Sequence, residues 1–235
     1  MRPLLEVIAQ TPADARNAEA GGADRIELVG SMAGGGLSPD IEMVEQVRAT
    51  TSLPVRAMIR PREGFVASVD ELALLKRQVN QVIEAGADGV VLGFLDQQGQ
   101  VDSDVVGALV EDGFFPWTFH RAIDHAGDPD DAWETLQELP RLDQVLTAGS
   151  TQGVRQGLPS LLERADVDDF ARPRLMAGGG LAPAHVGQLM RAGVRSFHTG
   201  SLVRPGGSFV APVNAPLVEE WRDLLDDELS RLEVA

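Results

Sequence analysis

Short apolar runs with a period near two recur along the whole chain, and an amphipathic stretch follows each of them. Strands are read at Leu4–Ile8, Arg25–Val29, Val55–Arg60, Gly89–Leu92, Trp117–Arg121, Gln144–Thr147, Arg174–Ala177 and Ser196–Thr199. The stretches between them carry helix start signals. Thr11-Pro12-Ala13-Asp14 sets a hydroxyl cap before a proline at the first helical position, and Ser38-Pro39 and Asp128-Pro129 repeat that grammar. Ser68-Val69-Asp70-Glu71 reads as a capping box. Eight strands alternating with helices specify a parallel sheet, since parallel neighbours need a crossover between them.

The strand starts separate a closed sheet from an open one. Strands one, three, five and seven follow Pro3, Pro54, Pro116 and Pro173, and proline suits a first strand position where no ladder donor is needed. Strands two, four and eight follow a helix-ending glycine in Gly22-Ala23-Asp24, Gly86-Ala87-Asp88 and Gly193-Val194-Arg195. The sixth, with Pro140-Arg141-Leu142-Asp143, breaks the pattern. An odd/even alternation favours a barrel, whose core layers draw on alternate strands. A doubly wound sheet would carry a glycine fingerprint after its first strand, and Ala9-Gln10-Thr11 has none. The expected fold is a single-domain TIM (β/α)8 barrel over residues 1–235, closed by an amphipathic helix at about 216–233 that contains Glu219-Glu220-Trp221-Arg222.

Composition narrows the chemistry. Twenty basic against 36 acidic residues give a formal charge of −16, which repels phosphate backbones and anionic lipid, so neither nucleic acid nor membrane is an expected partner. No apolar run reaches membrane-span length, and the N-terminus lacks the order of a signal peptide, so a cytoplasmic setting is expected. There is no cysteine, hence no disulfide, zinc ribbon or thiolate nucleophile, and there is no tyrosine. The single lysine, Lys76, falls on the wet face of the helix that Ser68 opens, away from Schiff-base chemistry. Catalysis must rest on Asp, Glu, His, Arg, Ser, Thr, backbone amides or a cofactor.

Barrel chemistry gathers at the C-terminal ends of strands, and here those ends are polar. They offer Glu6, Glu27, Arg60, Arg62, His120, Arg121, Thr147 and His198. Two readings stand: a structural ion-pair layer, with arginines neutralising Glu6 and Glu27, or a pocket with acid–base groups. In the second, Glu6, Glu27, His120 and His198 are the candidate catalytic groups, and Arg60, Arg62, Arg121 and Thr147 hold an anionic ligand. Two glycine segments echo each other, Gly34-Gly35-Gly36-Leu37-Ser38-Pro39 and Gly178-Gly179-Gly180-Leu181-Ala182-Pro183. Gly178, Gly179 and Gly180 with Thr199, Gly200 and Ser201 match the position of a barrel phosphate cradle after strands seven and eight. No histidine pair has metal-ligand spacing: His120 and His125 are five apart and His185 sits in a helix, so no metal site is expected. Met58 and Met176 read as core fillers.

Several of these runs resemble the CutC family, named for copper homeostasis: Gly22-Ala23-Asp24-Arg25-Ile26-Glu27-Leu28, Gly35-Gly36-Leu37-Ser38-Pro39, Met58-Ile59-Arg60-Pro61-Arg62, Gly86-Ala87-Asp88-Gly89-Val90-Val91 and Thr118-Phe119-His120-Arg121-Ala122. The likeness runs from Leu4 to about Ser201. It implies a cytoplasmic TIM barrel, often self-associating, with a role assigned in copper trafficking or tolerance; it implies no particular reaction, and copper enters through the family name alone. Family members often carry cysteines, proposed as copper ligands, at the ends of the first two strands, where this chain reads Ile8-Ala9 and Val29. Glu63-Gly64-Phe65-Val66 replaces a Gly-Asp-Phe-type turn. Without thiols, cysteine-based Cu(I) binding is out of reach. The expectations are therefore a copper-homeostasis protein or an enzyme acting on an anionic metabolite, phosphorylated ones included, with a homo-oligomer as the partner that the resemblance implies.

Overall fold

The computed structural model describes residues 2–111 and 113–234. The chain alternates β1 (Leu4–Ala9), α1 (Pro12–Ala20), β2 (Arg25–Leu28), α2 (Ile41–Arg48), β3 (Val55–Met58), α3 (Val69–Glu84), β4 (Gly89–Leu92), α4 (Ser103–Val110), β5 (Trp117–Phe119), α5 (Pro129–Gln137), β6 (Leu142–Thr147), α6 (Val154–Val167), α7 (Ala171–Arg174), β7 (Leu175–Ala177), α8 (Pro183–Arg191), β8 (Ser196–Thr199) and α9 (Ala215–Val234). The strands pair in sequence order, all parallel, and β8 closes on β1. This is the expected eight-stranded TIM barrel. Among the described residues no helix is long and apolar enough to cross a membrane.

Strand limits shift for local reasons. The second, third and fifth strands stop one or two residues earlier than read. At β5 the cause is visible: the His120 ring accepts the Ala122 N–H at 3.1 Å and opens a 3-10 turn over Arg121–His125. The sixth strand starts at Leu142, with a register irregularity against Trp117/Thr118. Arg174 belongs to α7 rather than to the seventh strand.

The alternation of strand starts has a different origin from core layering. Asp24 accepts the Leu5 amide on its side chain at 2.8 Å while its own N–H bonds the Leu5 carbonyl at 2.9 Å. Asp88 does the same to Val55, at 2.8 and 2.9 Å. Each Gly-Ala-Asp thus turns the chain at a positive-φ glycine, Gly22 or Gly86, and satisfies an amide at the start of the strand before it, Leu5 in β1 or Val55 in β3. The exceptional sixth start uses Arg141, the one non-glycine residue with positive φ among those described, at 58°. Its guanidinium bonds the Val110 and Glu111 carbonyls at the end of α4, which holds a conformation that disfavours a side chain.

Two apolar clusters divide the interior. The larger joins the outward strand faces, including Leu5, Ile26, Phe119 and Phe197, to the helices. The smaller lies in the barrel lumen and comprises Ile8, Val29, Met58 and Val91. Closing helix α9 buries Val218, Trp221 and Leu225 against α1 and β1's end of the barrel, and its Arg222 bonds Asp24 and the Pro3 carbonyl at 2.8 and 3.0 Å. Asp24 therefore ties a strand start to the closing helix. Asp24→Ala is expected to cost about 2–4 kcal/mol in urea unfolding, because it leaves the Leu5 amide without its acceptor and removes one of the two carboxylates paired with buried Arg222. Asp88→Ala, facing a more exposed arginine, should cost about 1–2 kcal/mol.

Candidate functional site

Alternation on β1, β2 and β8 sends Glu6, Arg25, Glu27 and His198 into the lumen, and the register sets Glu6 level with both Arg25 and His198. Arg25 Nε donates to Glu6 Oε2 at 2.5 Å, and His198 Nδ1 lies 2.8 Å from Glu6 Oε1. The other ring nitrogen of His198 stands 3.8 Å from Glu27 Oε2. Below, Arg25 and Arg56 converge on Asp143, and Arg56 also bonds Thr118 at 3.1 Å. The two readings of the polar strand ends thus both hold in part. Glu6 belongs to an ion-pair layer beneath the cavity, while Glu27 and His198 border the cavity itself.

Glycines make room for this lumen. A Cβ on Gly93 would lie 2.5 Å from His120 Nδ1, one on Gly178 would lie 2.9 Å from His198 Cβ, and one on Gly89 would lie 3.1 Å from Arg56 Nε. Large ionisable side chains therefore stand beside strand positions that have no side chain.

Environment drives the protonation states apart. Burial alone would raise Glu6, but the Arg25 charge and the His198 hydrogen bond overcome it and hold the carboxyl at about 2. Glu27 has no such guanidinium bond; burial pushes it up to about 7, with Glu6's charge adding and His198 opposing. His198 is raised: burial works against its charge, but Glu27 and Glu6 on either side prevail. His120 is lowered to about 3 by burial and by the neighbouring Arg60. It is therefore a neutral imidazole at pH 7, and since Nδ1 accepts an amide hydrogen, the ring proton sits on Nε2.

The mouth opens into a cavity of about 240 Å³ bordered by Glu27, Arg60, His120, Arg121, His198 and Gly200, with Met58 and Ile8 below. Glu27 and His120 both border this space, and Glu27 Oε1 and His120 Nε2 are buried without a hydrogen-bond partner among the described residues. A larger cavity of about 360 Å³ lies outside the barrel between α5 and α6. None of the buried unpartnered side-chain atoms among the described residues belongs to its lining, so the chemistry points to the mouth.

Some expected ligand groups stand elsewhere. Arg62 is exposed and forks onto Glu71 at 2.7 and 2.8 Å, outside the mouth, because Pro61 turns the chain away from the lumen. Thr147 donates to Asp124 at 2.6 Å and lines the outer cavity, and the buried Thr199 is not among the mouth residues. The Gly178 N–H is engaged by the Thr147 carbonyl at 3.1 Å; Gly179, Gly180, Gly200 and Ser201 do border the mouth. Arg60 ties the loops after β2 and β3 together: Nη1 bonds the Gly34 and Gly36 carbonyls at 2.6 and 3.2 Å, and Nε bonds Gly64 at 3.2 Å. Arg121 is held by Asp124 at 2.7 Å. Sequence reasoning missed Phe65, whose ring lies 5.5 Å from His120 and 4.9 Å from His125, as well as Met32 and Phe209. These come from loops, where no periodicity announces direction. His185, in the first turn of α8, is half-buried and accepts the Ala182 N–H at 3.1 Å.

Glu6, Glu27 and His198 bring one donor atom each within 4.8 Å of one another, the span of a metal site. The sequence offered no sign of this, since the three come from three strands. The set does not fit Cu(I), which prefers thiolate or thioether sulfur. Both Glu6 oxygens are already engaged, one by a guanidinium whose charge opposes a cation.

A sequence model of the CutC family matches residues 3–203. A CutC family protein of Xanthomonas campestris pv. campestris is 39% identical over 219 residues, 90% of this chain and 87% of its own length. A Homo sapiens relative named copper homeostasis protein cutC homolog is 36% identical over 198 residues, 83% of this chain and 72% of its own. A solved CutC structure from Streptococcus agalactiae superposes with a TM-score of 0.74 at 23% identity, covering 84% of this chain and 98% of that one; at that identity the likeness bears on the fold.

Glu27 gives the fold a pH signature. A carboxyl with a raised folded pKa binds its proton more tightly folded than unfolded. Its contribution is complete below 4.5 and is lost as pH rises through about 7. Glu27→Gln removes that titration, so the variant should gain stability on the parent between these limits, by up to about 3 kcal/mol, in unfolding measured across pH. A difference that stays flat over the window contradicts the assignment.

Proposed function

The chain belongs to the CutC family, and from that membership and the geometry of the mouth we propose that it binds a small anionic metabolite and moves a proton on it. Glu27 and His198 form the acid–base pair, and His120 donates a hydrogen bond to the ligand. A role in copper homeostasis is supported by the names of its relatives. The observation that carries the molecular reading is the pair of buried polar atoms, Glu27 Oε1 and His120 Nε2, left without partners on one cavity. Leaving such atoms bare costs about 1–3 kcal/mol each, and a ligand with an acceptor and a donor removes that cost.

Charge supports an anion. The chain carries −16 overall, yet Arg60 and Arg121 stand at the mouth. Arg60's three bonds to loop carbonyls use Nε and Nη1 and leave Nη2 without one. A free guanidinium edge suits carboxylate or phosphate, and the glycines at Gly179, Gly180 and Gly200 let such a group approach the backbone. Glu27 and His198 compete for a proton at 3.8 Å, so proton transfer near neutral pH is the chemistry they favour. The donor set of Glu6, Glu27 and His198, carboxylate and imidazole without sulfur, does not suit Cu(I).

A thermal-shift screen of carboxylated and phosphorylated metabolites checks this. A ligand at about 100 times its Kd adds about 2.7 kcal/mol, and the melting temperature should rise by about 5–10 °C. His120→Ala should abolish the rise. No shift across the panel contradicts the reading, and sub-micromolar Cu(I) binding in a chelator-competition titration contradicts its copper part.

A further inference from the structure

We propose that the mouth enolises a small anionic carbonyl compound: Glu27 removes the proton from the carbon next to the carbonyl, while the Nε2–H of His120 holds the carbonyl oxygen. The inference rests on the reading above and adds the reaction and the substrate class to it.

The geometry supplies three requirements of that step. The first is a donor whose direction is fixed. His120 has its Nδ1 bonded by the Ala122 amide, is packed beside Gly93 with Phe65 edge-on at 5.5 Å, borders the cavity, and leaves Nε2–H with no acceptor among the described residues. Its ring stays neutral at pH 7, and a neutral imidazole is a suitable partner for an enolate oxygen because it stabilises the charge without surrendering a proton outright. The second is a base with one free oxygen. Glu27 borders the cavity, has Oε2 3.8 Å from His198 and leaves Oε1 without a partner among the described residues, and its proton affinity lies near neutral pH. The third is placement. Glu27 ends β2 and His120 follows β5, three strands round the barrel, so the two groups meet a ligand from opposite sides. The space of about 240 Å³ is below the roughly 300–1,000 Å³ of pockets for drug-sized molecules and limits the ligand to a few carbons.

The step balances within the ligand and the protein. The C–H bond breaks and its proton goes to Glu27 Oε1. The freed electron pair forms the C=C bond as the carbonyl π pair moves onto oxygen, where His120 Nε2–H stabilises it. Return of the proton from Glu27 to the same carbon restores the substrate. Return to the former carbonyl carbon of an α-hydroxy carbonyl, with the hydroxyl proton transferred to the other oxygen, gives the aldose–ketose isomer. No oxidant or reductant takes part. Glu6 beneath, hydrogen-bonded to His198, favours the charged imidazole, and that charge in turn favours the ionised form of Glu27.

The test is carbon-bound proton exchange in D2O, followed by proton NMR with the intact chain. Dihydroxyacetone phosphate and hydroxypyruvate serve as probes carrying a phosphate or a carboxylate, and glycerol 3-phosphate serves as a control with the anion but no carbonyl. Binding is read in the same samples by saturation transfer. At least one carbonyl probe should exchange about 100-fold or more above buffer. Glu27→Gln and His120→Ala should each remove most of that gain, and His120→Gln, which can restore an N–H donor, should retain more than His120→Ala. If His120→Ala does not fold, the near-isosteric Glu27→Gln carries the test. Binding of any of the three compounds without exchange of either carbonyl probe overturns the enolisation and leaves the anion pocket standing. Exchange that survives Glu27→Gln overturns the base assignment. Binding of none of the three contradicts both the enolisation and the anion pocket.

Discussion

The salt bridge between Glu6 and Arg25, inside a closed sheet, is the interaction on which the rest of the lumen depends. A carboxylate at zero exposure is ionised because a guanidinium lies 2.5 Å away. Ionised Glu6 then holds His198, and charged His198 faces Glu27. Remove the arginine and the carboxyl would take up a proton, His198 would lose a counter-charge, and the balance between His198 and Glu27 would shift with it. Three adjacent strands in register are enough to build this chain of influence, because parallel pairing sets Glu6 level with one partner on each side.

Burying so much charge requires support from elsewhere. Most apolar stabilisation lies on the outer face of the sheet, where the helices cover the strands, and the lumen's own apolar cluster is small. The barrel can hold an ionic interior because its lumen does not have to serve as the main hydrophobic core. Glycines on neighbouring strands give the long side chains their space. Arg60, by bonding loop carbonyls on both sides, fixes the rim above them. The two buried histidines then differ in state although both follow the same fold logic: His198 lies between carboxylates, and His120 lies near an arginine.

The architecture was legible because strand and helix periods alternate without interruption, and the polar strand ends were legible because carboxylates and imidazoles interrupt apolar runs. Glu27, His120, His198, Arg60 and Arg121 accordingly meet at one mouth. Glu6 was legible as buried and charged, yet its depth below the cavity depends on register, which sequence does not reveal. Arg62 and Thr147 failed as mouth residues because one residue past a proline, or one face of a strand, reverses the direction of a side chain. Phe65, His125 and Phe209 were hidden in loops. The Gly-Ala-Asp motif was visible, but its action was not: an aspartate satisfying an amide about 20 to 33 residues away is a tertiary fact. Glu6, Glu27 and His198 were legible as groups gathered at the strand ends, but not their approach within 4.8 Å, since no local spacing records the distance between side chains of three strands.

Two similar buried histidines are driven in opposite directions, His198 toward charge by Glu27 and Glu6 and His120 toward neutrality by burial and Arg60. Nitrogen-15 NMR of the imidazoles across pH 4 to 9 reads both directly. His120 should stay neutral down to about pH 4, in the Nε2–H tautomer, and the charge of His198 should persist above 6.5. Two rings titrating together near 6.5 would contradict both expectations.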